Sequence, residues 1–122
     1  MIGVLLLAHG SRKGDTELTM QKIKEYVKEE LNRDDVIVEE AYKEFRHPNL
    51  DKGILKLVEQ GANEIKVVPY FLFEGIHIEQ DIPGEIREFQ AEHPEISITF
   101  GRTLGPDRRL AAVLADRVRE LI

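Results

Sequence analysis

The chain has no cysteine. That excludes disulfides, a thiolate metal site and a cysteine nucleophile, although it does not fix the compartment. An excess of cations is also missing: 17 Lys and Arg stand against 23 Asp and Glu, a net charge of -6. An acidic domain without a basic tail is poorly suited to nucleic acid or to an anionic membrane. No apolar run approaches the roughly 20 residues that cross a bilayer. The apolar start lacks a cationic n-region, is too short for a signal h-region and is followed by no cleavage-like sequence. A soluble cytoplasmic protein is the expectation. Phosphate cradles are absent as well. Neither GxxxxGK[ST] nor GxGxxG occurs, so nucleotide hydrolysis and a dinucleotide cofactor are not indicated.

What is present is a repeated alternation. The 122 residues, 42% of them hydrophobic, suit one domain over 1–122. Residues 2–8 are short and aliphatic, and read as a strand buried on both faces. A helix follows, capped by Asp15 or Thr16, with Met20, Ile23, Val27 and Leu31 on one face. Residues 36–42 (VIVEEAY) read as a second strand, exposed enough by its two glutamates to lie at an edge. Pro48 fits the first turn of the next helix, whose buried stripe is Leu50, Ile54, Leu57 and Val58. Residues 65–73 (IKVVPYFLF) are the third strand, with a local irregularity expected at Pro69. Asp81 and Pro83 open a third helix. Residues 96–100 are the fourth strand, and 106–121 a last helix with Leu110, Val113, Leu114, Val118 and Leu121 packed inward. Strand–helix alternation with short links argues for a parallel α/β sheet with helices on both faces. A flavodoxin-like three-layer sandwich of strand order 2-1-3-4 is expected, in which the winding reverses between strands 1 and 3.

That order gives the histidines their meaning. His9 leaves strand 1 and His77 leaves strand 3, so both emerge at one sheet edge, across the switch-point crevice. Glu44, after strand 2, reaches the same rim. Two imidazoles and a carboxylate suit a borderline divalent metal such as Co, Ni, Fe or Zn. Unperturbed imidazole also titrates near pH 6.5, so these groups could accept protons near neutrality. Taken singly, His77 reads equally as a loop histidine, and Glu44 as a solvated charge. His47 could cap a helix, and His93 is expected at the opposite edge, solvated. The strand exits are locally basic, with Arg12, Lys13, Lys43, Arg46 and Arg102. They suit an anionic ligand, or they are ordinary loop cations. Ser11 lies near a histidine, but no acidic residue completes a triad pattern.

Three segments, LLLAHGSR at 5–12, YKEF at 42–45 and VVPYFLFEGIHIEQDIP at 67–83, resemble the small sirohydrochlorin chelatases of the CbiX/SirB type. The resemblance covers the whole chain in order. It implies the chelatase-type version of this fold and ATP-independent, class II insertion of a divalent metal into sirohydrochlorin. Cobalt and cobalamin biosynthesis are the first expectation, with iron or nickel in siroheme or nickel-tetrapyrrole synthesis as alternatives. No permanently bound cofactor is implied, the metal being a substrate. The metal-site and catalytic histidines match His9 and His77, and the active-site glutamate matches Glu44. Substrate carboxylates would meet Arg12, Lys13, Lys43, Arg46 or Arg102, beside Ser11. Tyr70, Phe73, Gly75 and Ile76 would flank the macrocycle. Phe71 and Phe73 read equally as core. The chain departs from the family pattern at Arg46-His47, where small or acidic residues are expected. One four-stranded domain encloses a macrocycle poorly, so the resemblance suggests a homodimer with facing clefts. Two rivals remain: a metal or tetrapyrrole carrier without catalysis, and a histidine phosphatase. Against the phosphatase, Ala8 rather than Arg precedes His9-Gly10.

Overall fold

In a computed structural model, the backbone of residues 1–122 and every side chain except that of His77 are described. Strand β1 (Ile2–Ala8) sits between β2 (Val36–Tyr42) and β3 (Glu64–Pro69), and β4 (Ser97–Phe100) pairs with β3. All pairings are parallel, and the order is 2-1-3-4 as the alternation predicts. The helices are α1 (Asp15–Leu31), α2 (Leu50–Glu59), α3 (Ile82–Glu92) and α4 (Arg108–Arg119). A π-helical turn, His77–Asp81, leads into α3.

The period-two geometry of β1 divides the core. Leu5 and Leu7 point to one face, against Leu50, Ile54 and Leu57 of α2 and Ile82, Ile86 and Phe89 of α3. Leu6 and Ala8 point to the other, against Met20 of α1 with Val38 and Tyr42 of β2. Each fully buried aliphatic side chain contributes about 1.5–3 kcal/mol. The contact with α2 is close: a Cβ on Gly53 would lie 2.9 Å from Leu5 Cδ1 and 3.0 Å from Ala41 Cβ. Only hydrogen fits there.

Local boundaries depart from the sequence reading in ways with plain causes. Gly14 occupies the N-cap of α1, and no side chain caps it, so neither Asp15 nor Thr16 plays that part. Pro48 lies outside α2; Asn49 is the cap, its side chain accepting from the Lys52 amide at 3.0 Å. Strand β3 stops at Pro69, which has no N–H to donate. The Tyr70 amide makes a last rung to the Leu7 carbonyl at 2.7 Å, and residues 70–73 leave the sheet. Asp81 precedes α3 without capping it through its side chain. Strand β2 is an edge, but its glutamates are not free in solvent. Glu40 is 7% exposed, 3.0 Å from the Lys24 ammonium and accepting from the Tyr42 hydroxyl, while Glu39 pairs with Lys56 at 3.0 Å.

The largest departure is α4. Its apolar stripe is where the spacing puts it, but no residue of the helix is buried. Leu114 is 67% and Val118 54% exposed. The helix is held by its own sequence. Asp107 caps it, accepting from the Arg109 amide at 2.9 Å, and the Arg109 guanidinium holds that carboxyl well below the usual range. Arg119–Asp116 and Arg117–Glu120 pairs add i,i+3 support at 2.8 and 2.6 Å. Among the described residues, no helix is long and apolar enough to cross a membrane.

Candidate active site

His9 follows the last residue of β1, at the carboxyl edge of the sheet. Its backbone is tied to the loop after β2. The Lys43 amide donates to the Ala8 carbonyl at 2.8 Å, and the Glu44 amide to the His9 carbonyl at 2.9 Å. The first is the final rung of the β1–β2 ladder, and the second ties the two exit loops to each other. Gly10 then turns with φ +96°, and a Cβ there would lie 1.9 Å from the Glu44 carbonyl oxygen. Only glycine permits that approach.

The result is that His9 Nε2 and Glu44 Oε2 lie 3.9 Å apart, both side chains about half exposed. This is too long for a hydrogen bond. At metal–ligand lengths near 2.1 Å, two ligands of a tetrahedral ion sit about 3.4 Å apart. The pair could thus grip one ion after closing by roughly half an ångström. Among the described residues, no group of three or more acidic or histidine side chains could hold a metal. The Phe71 ring meets His9 edge-on, centroids 6.1 Å apart, and is itself packed against the core. His77 opens the π-helical turn on the segment leaving β3, β1's neighbour; its side chain lies outside the described residues.

The remaining predicted residues spread along the same edge. The Arg12 guanidinium lies 4.8 Å over the Phe45 ring, a cation–π contact. The Ser11 side chain accepts from the Lys13 amide at 3.2 Å. Lys43 is largely buried, its ammonium on Glu85. Arg46 donates from Nε to the Ser11 carbonyl at 2.7 Å and from Nη2 to the Arg12 carbonyl, and its Nη1 lies 3.6 Å from Glu17. Tyr70 and Ile76 are exposed, and Phe73 is 80% exposed. Phe73 is therefore rim and not core, whereas Phe71 is core. Gly75 accepts at its carbonyl from the Ile78 and Glu79 amides and so anchors the π-helical turn. Arg102 and Phe73 line a separate hollow of about 560 Å³ with Glu74 and Asp107. His47 is exposed, and His93 stacks on Phe89 at 4.5 Å, half-buried and not fully solvated.

His9, Ser11 and Tyr70 line an open hollow of about 330 Å³ with the start of α1. That is the low end for a small-molecule pocket. Sequence reasoning missed Phe45, which has φ +66° and is the centre of a γ-turn closed by the Arg46 amide on the Glu44 carbonyl at 2.8 Å. No spacing announces a left-handed phenylalanine. It also missed the buried Lys24–Glu40–Tyr42 set, for which the only signal was the pair of glutamates within a β-branched run.

Comparison with known proteins bears on this geometry. A family model described as CbiX matches residues 3–121. A sirohydrochlorin cobaltochelatase of Saccharolobus islandicus is 35% identical, the alignment covering 98% of this chain and 95% of that protein. A sirohydrochlorin ferrochelatase of Priestia megaterium is 32% identical over 98% of this chain, which spans only 44% of that longer protein. The solved sirohydrochlorin chelatase SirB of Bacillus subtilis subspecies spizizenii, in complex with cobalt, superposes with a TM-score of 0.87 at 28% identity, covering 98% of this chain and half of that one.

Proposed function

The chain belongs to the CbiX family, and from that premise we propose that it is a cytoplasmic sirohydrochlorin chelatase. It inserts a divalent metal into sirohydrochlorin without a nucleotide. The observation that carries this reading is the His9 imidazole set 3.9 Å from the Glu44 carboxylate where the central strand ends. In the reaction, M²⁺ and the free macrocycle give the metallated ring and two protons. Two pyrrole N–H bonds break as the ring nitrogens take the metal. His9 Nε2 accepts one proton as general base, and Glu44 stabilises the imidazolium before solvent takes the proton away. His77 supplies the second imidazole, for the other proton or for the metal as it sheds water. Weak, open ligation suits a site that must give up its ion. Arg12 meets the substrate's carboxylates, assisted by Ser11, with Tyr70, Phe73, Gly75 and Ile76 beside the macrocycle; Lys43, turned to Glu85, is not offered to the substrate.

We take cobalt as the metal, in cobalamin or related tetrapyrrole synthesis. The cobaltochelatase relative aligns over nearly its full length, the ferrochelatase over less than half. Iron is the second reading, on the strength of that ferrochelatase. A homodimer completes the proposal. Its support is the shallow hollow beside His9 and the uncovered apolar stripe of α4.

The test is anaerobic insertion followed by absorbance, with Co²⁺, Fe²⁺ and Ni²⁺ in turn. His9→Ala and His77→Ala are each expected to lower the rate at least about 10²-fold, the low end for a lost acid–base group. Full activity in both variants overturns the assignment. Binding of metal and macrocycle with no acceleration of insertion would make the protein a carrier.

A further inference from the structure

We propose that Arg46 is a positioning residue that holds His9 and Glu44 at their working separation, and not a group that meets the substrate. The inference rests on the reading of those two residues given above. Arg46 sits on the loop after β2, yet two of its donors go to the other loop: Nε to the Ser11 carbonyl at 2.7 Å, Nη2 to the Arg12 carbonyl. The third nitrogen, Nη1, lies 3.6 Å from Glu17 at the start of α1. The side chain is only 23% exposed. A guanidinium so occupied turns the Nε–Nη2 edge of its fork toward the protein.

The contact is reciprocal. Arg12, from the loop after β1, lies over Phe45, from the loop after β2. Between them, Phe45 takes a positive φ, and the Arg46 amide closes the γ-turn on the Glu44 carbonyl. Such a conformation costs a bulky residue of the order of 1–3 kcal/mol and persists only where its surroundings over-determine it. Arg46 supplies that determination, since its amide closes the turn and its side chain bridges the loops. Two neighbouring carbonyls need donors in a fixed fork, which arginine has and lysine lacks.

The experiment measures kcat and KM for sirohydrochlorin with Co²⁺ in Arg46→Met and Arg46→Lys, and in both with His9→Ala. Loosening the bridge is expected to lower kcat about 10- to 100-fold in Arg46→Met, with KM within about twofold. Arg46→Lys keeps the charge but not the fork, and kcat is expected to fall about fivefold at unchanged KM. In the His9→Ala background neither substitution lowers the rate further. A raised KM with intact kcat, or wild-type kcat in Arg46→Lys, overturns the proposal. If Arg46→Met does not fold by circular dichroism, Arg46→Lys decides alone. An active His9→Ala protein sinks the reading of the site, whereas wild-type kcat in Arg46→Lys beside an inactive His9→Ala sinks only the role of Arg46.

Discussion

Gly10→Ala is the sharpest probe of the site, because one methyl group acts on both the fold and the chemistry. The native φ of +96° is unfavourable for any residue with a Cβ, by about 1–2 kcal/mol. The added Cβ would start 1.9 Å from the Glu44 carbonyl oxygen, whereas ordinary contact begins at 3.4 Å. The two loops must therefore part by about 1.5 Å, or the bond from the Glu44 amide to the His9 carbonyl must break. Strain and a lost backbone bond together amount to roughly 2–4 kcal/mol. For a chain of this length that is a fall in Tm of about 8–16 °C. A misplacement of an ångström at the reacting groups costs of the order of 10² in rate. Thermal unfolding and cobalt insertion below the lowered Tm measure the two effects separately. Gly14→Ala is the control, because Gly14 has φ -66° and an added methyl would meet nothing within 4 Å. It is expected to keep the wild-type rate and to match or slightly exceed the wild-type Tm. A Gly10→Ala protein with both quantities equal to the control's would refute the close approach of the two loops.

Two further outcomes follow from the packing. Burial, and then the hydrogen bond to Glu40, push the Tyr42 hydroxyl above its ordinary pKa, so the folded state keeps this proton where the unfolded chain has lost it. That stabilisation is complete below about pH 10 and is lost as pH rises through the higher folded value. Tyr42→Phe is expected to cost about 1–3 kcal/mol at pH 7 in urea unfolding and to flatten the alkaline decline; an unchanged decline would refute it. Leu114→Asp with Val118→Asp places charge on the exposed stripe of α4, and is expected to convert a dimer to a monomer in sedimentation with no loss of helix content. A wild-type protein already monomeric at working concentration would refute the homodimer.

The architecture is legible in the sequence because β1 is buried on both faces and can only be central. The edge position of β2 and the strand order then follow from the connections. Glu44 falls on the rim with His9 for the same reason. Boundaries are less legible where one residue type serves two ends. Asn49, not His47, caps α2, so the helix begins after Pro48 and not at it. The stripe of α4 is plainly apolar, but periodicity says only that a face wants cover, not which surface supplies it. Arg46 reads as a cation for substrate because charge is visible in sequence. The carbonyls that occupy it belong to residues 34 and 35 positions away.

The bonds from the Lys43 and Glu44 amides join the two chain exits where the central and edge strands end. Imidazole and carboxylate sit one and two residues past the ends of neighbouring strands, on short exits and not on a long flap. Their spacing starts from the repeat distance between neighbouring strands and is set finally by the contacts between the two exit loops.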